Sequence, residues 1–106
     1  VKSREFLRLL RGSVDADSTV RMQVADEIAD LLSAYSLEEV VALAVTLSAA
    51  AAAEENPEVL ESQLHAILEL ATTGYVDVGC VSYLREIDPV GLPGEIKEYI
   101  ADLLAG

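Results

Sequence analysis

There is no tryptophan in this chain, and one phenylalanine and four tyrosines are its only aromatics. A core must therefore come from Leu, Val, Ile and Ala, a set that favours helices packed on helices. The single cysteine, Cys80, excludes an internal disulfide and a thiolate metal cage. It suits a reducing, cytoplasmic setting. No run reaches the roughly 18 to 20 consecutive apolar residues of a membrane span. No secretory signal is visible, and the absence of an initial Met points to a processed start.

Basic side chains are also scarce, seven against nineteen acids, for a formal charge of −12. The few are unevenly placed. Residues 1–21 hold Lys2, Arg4, Arg8, Arg11 and Arg21 against Glu5, Asp15 and Asp17. The remainder holds only Arg85 and Lys97 against sixteen acids. Such a body repels phosphate backbones and anionic membrane surfaces, which argues against both as direct partners. It attracts a basic protein partner and speeds the encounter. The competing use of the charge is solubility.

What is abundant is apolar helix-forming sequence. The chain has 106 residues, about half of them apolar, enough for one domain with a modest core. Glu5 to Arg11 reads as a short basic helix stopped by Gly12. Val20, Val24, Ile28, Leu31 and Tyr35 recur at helical steps. Ser36-Leu37-Glu38-Glu39 is a capping box, followed by Leu37, Val40, Val41, Ala44 and Leu47 as a buried stripe that runs into Ala49–Ala53. Asn56-Pro57 starts another helix through Leu60, Leu64, Ile67, Leu68 and Ala71, with Gly74 at its end. Asp77 caps a fifth through Val81, Leu84 and Ile87, ended by Asp88-Pro89. Pro93 opens a sixth with Ile96, Tyr99, Ile100, Leu103 and Leu104. No strand-like alternation of useful length occurs. The expected fold is all-α, about six helices in antiparallel hairpins.

The helices repeat. A shift of 39 carries Val20 onto Val59 and Ile28 onto Ile67, and a shift of 37 carries Val59 onto Ile96 and Ile67 onto Leu104. A period just under 40 is the spacing of stacked α-hairpins. Residues 56–71 (Asn-Pro-Glu-Val-Leu-Glu-Ser-Gln-Leu-His-Ala-Ile-Leu-Glu-Leu-Ala), a weaker copy at 17–32 and a truncated third from Pro93 carry the likeness. On these residues the chain resembles HEAT-repeat proteins. The resemblance implies helical hairpins over 17–105, forming an α-solenoid, with the basic N-terminal helix at 1–12 read from its own residues in front of them. An ordinary compact bundle is the competing architecture, because amphipathic helices match one another without ancestry.

The repeat also makes a surface. Glu61, His65 and Glu69 stand at i, i+4 and i+8 opposite the apolar stripe. The same shifts bring Asp26 and Asp30, and Glu98 and Asp102, into line with them. Stacking would join three polar lines into one acidic face, the candidate partner-binding surface. Like charges at this spacing cost each helix some tenths of a kcal/mol, roughly, which points to use. A solvated outer face is the plainer reading. By the HEAT resemblance, Glu38, Glu39, Tyr83 and Arg85 on the other helices are rival contacts.

Chemistry finds little support. His65 has carboxylates beside it but no nucleophile or second histidine, so no catalytic residue is assigned. Asp15-x-Asp17-x-Thr19 with Asp26 at the twelfth place imitates a calcium loop, yet Val20 occupies the glycine position. It reads instead as a helix start. Glu61 and His65 are four apart, which does not fit a Glu-x-x-His iron motif. Asp17-Ser18 looks like the modified serine of acyl carrier proteins, but Thr19 follows where leucine is usual. Cys80 lies on the apolar side, placed for burial. No cofactor or metal is expected.

The small size, acidic body and HEAT-like character together resemble bacterial immunity proteins, inhibitors that cap a cognate toxin domain. That resemblance implies a protein-binding module that neutralises a basic, nuclease-like toxin by occluding its cleft. A HEAT-like adaptor that recruits a partner without inhibiting it is the alternative.

Overall fold

Side-chain caps open the three central α-helices. In the computed structural model, which describes residues 1–106, Asp17 Oδ1 accepts from the Thr19 amide at 2.8 Å and starts α2, Ser18–Asp30. Ser36 and Glu39 bond reciprocally, Ser36 Oγ accepting from the Glu39 amide and Glu39 Oε1 from the Ser36 amide, and open α3, Leu37–Ala52. Asn56 Oδ1 accepts from the Glu58 amide at 2.9 Å, with Pro57 in the first turn of α4, Pro57–Ala71. Each cap satisfies an amide that the helix leaves free. Before them comes α1, Ser3–Ser13, and last comes α5, Gly94–Ala105. Between α4 and α5 lies a 3-10 helix, Val78–Glu86. The chain has no strands.

Several boundaries depart from the periodicity. α1 passes through Gly12 instead of stopping there, because Gly12 is a packing position. A Cβ built on it would stand 2.4 Å from Val24 Cγ2 on α2. The run from Val20 to Tyr35 breaks after Asp30, and a 3-10 turn at Leu32–Ala34 leads into α3. Tyr35 is held by its hydroxyl, which donates to the Ile28 carbonyl at 3.1 Å, with the ring buried. The expected fifth helix is 3-10 and kinked at Val81, where φ is −115°. Its apolar residues Val78, Val81, Leu84 and Ile87 recur every third position, matching three residues per turn. Leu37, expected inside, is 50% exposed at the start of α3.

The packing is that of three consecutive hairpins. α1 packs on α2, α3 on α4, and the 3-10 helix on α5. Between hairpins, α2 packs on α4 and α4 on α5, while α1 packs on α3 and α3 on the 3-10 helix. The helices therefore sort into two layers, α1–α3–3-10 and α2–α4–α5. The shortest dimension, 19 Å, accommodates two helix layers spaced about 8–10 Å apart. The repeat shifts of 39 and 37 join α2 to α4 to α5, the members of one layer.

Between the layers the core is aliphatic, with Leu9, Ile28, Leu43, Leu47, Leu64, Ile67, Leu70, Leu84 and Ile96 fully buried. α4 touches α2, α3 and α5, so more of its circumference is covered than a single stripe would allow. Val59, Gln63, Ala66 and Leu70 are buried in addition to Leu60, Leu64 and Ile67, whereas the expected Leu68 and Ala71 are only half-buried.

Candidate functional site

The candidate charged residues of α2, α4 and α5 occupy positions that the core does not claim. On α2, Val24, Ala25 and Ile28 face inward, leaving Asp26 and Asp30 exposed one turn apart. On α4, Glu61 and His65 are exposed and Glu69 is half-buried. On α5, Ile96 and Leu103 are buried and Glu98 and Asp102 are exposed. All seven lie on the helices of one layer, which neighbour one another in the order α2, α4, α5.

Their charges are left free. Asp26, Asp30, Glu61, Glu98 and Asp102 enter no ion pair, and the one contact in the group is His65 Nε2 to Glu69 Oε1 at 3.8 Å. The Tyr99 hydroxyl on α5 donates to Glu95 Oε1 at 3.0 Å and is raised above its ordinary pKa, first by that bond, then by burial, and then by the charges of Glu95 and of Glu61 on α4. Six carboxylates on three neighbouring helices can present a negative surface to a cationic body. The arrangement offers hydrogen-bond acceptors and charge.

The rival residues belong to the other layer. Glu38, Tyr83 and Arg85 are exposed there, while Glu39 is half-buried and engaged in its capping box. Asp15 and Asp17 serve the start of α2, Asp15 Oδ1 accepting from the Asp17 amide at 2.8 Å. No three carboxylate, imidazole or thiol groups gather in a way that would hold a metal ion. Cys80 is half-buried, and its carbonyl accepts from Ser48 Oγ at 3.2 Å. No helix is long and apolar enough to cross a membrane.

One polar cluster has no counterpart in the periodicity. Arg21, near the start of α2, donates from Nε to Glu54 Oε1 at 2.8 Å and from Nη2 to Glu54 Oε2 at 2.9 Å. The Glu54 side chain is 2% exposed and also accepts from Gln63 Nε2 at 3.1 Å and the Asn56 amide at 3.3 Å. The hydrogen bond from Arg21 holds its carboxyl below the ordinary value against the opposing effect of burial, aided by Asn56, the charge of Arg21 and Gln63. A cleft of about 590 Å³ opens beside it, lined by residues that include Ser13, Asp15, Ala50 and Ala53. Glu54 follows five alanines as the first charge after Glu39, which marks the end of an apolar run without pointing to Arg21.

No family model, no curated protein and no solved structure matches this chain.

Proposed function

We propose that the protein is an acidic binding module that neutralises a basic protein, an immunity-type inhibitor of a nuclease-like toxin domain. The observation that carries this reading is the set of unpaired carboxylates Asp26, Asp30, Glu61, Glu98 and Asp102 on three neighbouring helices, with Glu69 beside them. In a chain of charge −12, such a surface attracts a cationic cleft over a Debye length and then occupies it. Carboxylates placed where a phosphate backbone would lie block the cleft without any chemistry. His65 stands among them as an exposed contact, 3.8 Å from Glu69 Oε1.

The test is inhibition. The protein mixed at equimolar amounts with its basic partner should abolish the partner's activity, and binding should weaken steeply with salt. Binding that leaves activity intact would defeat the inhibitor reading.

That outcome would favour an adaptor, the second reading, which draws support from the three stacked hairpins. Stacked hairpins offer extended surfaces for recruitment. An adaptor of this kind would use Glu38, Tyr83 and Arg85 on the α3 side.

A further inference from the structure

A groove opens between the 3-10 helix and α5. It has a volume of about 290 Å³, and its apolar lining includes Leu84, Ile87, Ile100 and Leu104. The only charged side chains that line it are Arg85 and Lys97, and no acid does. These are the two cations of residues 22–106, which carry sixteen acids. Neither forms an ion pair, although carboxylates outnumber them eightfold in that stretch. Both scarce cations therefore edge one apolar groove with their charges unused.

Position adds to the composition. The 3-10 helix and α5 form a hairpin that packs on α3 and α4. The loop leading from the groove exposes Val90 at 82%.

We infer that this groove docks a protein segment whose apolar side chains are flanked by carboxylates. Apolar anchors enter between the 3-10 helix and α5, and the flanking carboxylates pair with Arg85 and Lys97. This is helix-in-groove recognition, read through anchors at i, i+3, i+4 and i+7. The volume sits at the lower limit of sites that enclose a whole small ligand, roughly 300–1,000 Å³, and suits anchoring side chains instead. The acidic body opposes such a segment at long range. Screening confines that repulsion to about 8–10 Å at physiological salt, so the local cations decide the contact. None of the carboxylates of α2, α4 and α5 lines the groove, and the assignment does not depend on what they bind.

A labelled amphipathic peptide, with leucines at i, i+3, i+4 and i+7 and glutamates on both sides, serves as the probe, read by fluorescence anisotropy. The wild-type chain should bind it. The exposed double variant R85E/K97E should bind it roughly tenfold more weakly, as should the wild-type chain with a peptide carrying glutamine for glutamate. Ala101→Trp, which fills the groove from an exposed position, should abolish binding while circular dichroism stays helical. Equal binding by the wild-type chain, R85E/K97E and A101W would overturn the assignment, as would no binding at all. Sodium decanoate binding more tightly than the peptide would overturn it too, by showing a site for small amphiphiles.

Discussion

Arg21 and Glu54 stand 33 residues apart in the chain and meet in a two-bonded ion pair, one end of it almost fully buried. The pair ties the first turns of α2 to the turn before α4. It thereby fixes the register of the two helices that carry Asp26, Asp30, Glu61, His65 and Glu69. A core of aliphatic side chains can slide by small amounts, whereas a bidentate guanidinium–carboxylate contact has one geometry.

Glu54→Ala should therefore destabilise the fold by about 3 kcal/mol, the lower end for a buried pair because Arg21 is partly exposed. Removing both partners as Arg21→Met with Glu54→Met should be less harmful than removing Glu54 alone, because no uncompensated charge is left inside. Urea unfolding midpoints of the three proteins check the order.

The same contact gives a pH dependence. Glu54 titrates below its ordinary value of 4.5 in the folded chain, so its stabilising effect is complete above that value. It is lost as pH falls through the lower folded value. Glu54→Gln should flatten the acid limb of a stability-against-pH curve in this range, and leave the curve's shape above pH 5, on the order of a half unit past the ordinary value, unchanged.

At the alkaline end the group is Tyr35. Burial, followed by the charges of Glu5, Glu39 and Glu27, pushes its phenol up to about 12. Above the ordinary value of 10 the unfolded chain loses this proton before the folded chain does, so stability falls between the two values. Tyr35→Phe should reduce that fall, at the expense of the bond to the Ile28 carbonyl. Thermal unfolding at a series of alkaline pH values measures it.

Gly12→Ala tests the crossing of α1 and α2. Alanine is the better helix former by about 1 kcal/mol, yet its Cβ would meet the stiff Val24 side chain. The clash should prevail, with a net loss of roughly 1–3 kcal/mol as in other overpacked sites. Val24→Ala added to Gly12→Ala should recover part of it. A more stable single variant would show that the helices can separate without loss.

Residues with local rules were legible in the sequence and those with tertiary reasons were not. Ser36, Glu39, Asn56 and Pro57 act within one turn, and the structure bonds them as their spacing implies. The shifts of 39 and 37 picked out α2, α4 and α5, the helices that stack. Gly12 reads as a stop until Val24 is seen against it. The every-third spacing of Val78, Val81, Leu84 and Ile87 is present in the sequence, but over so short a run it does not separate a 3-10 helix from an α-helix. Arg21 and Glu54 gave no pairwise signal across the loop and helix that separate them. Of the candidate surface, the sequence placed seven residues on three helices by alignment alone, and those helices are neighbours.

Charge neutralisation of that surface is the most direct test of the account. The wild-type protein and a variant with Asp26, Asp30 and Asp102 changed to Asn and Glu61, Glu69 and Glu98 changed to Gln would be compared in binding to the same basic protein across a salt series. The wild type should bind tightly at low salt, lose affinity as salt rises and silence that protein's activity at equimolar amounts. The variant, folded by circular dichroism, should bind at least tenfold more weakly, a difference of about 1.4 kcal/mol. Equal affinity and equal inhibition by the two proteins would contradict the claim that these carboxylates meet the partner.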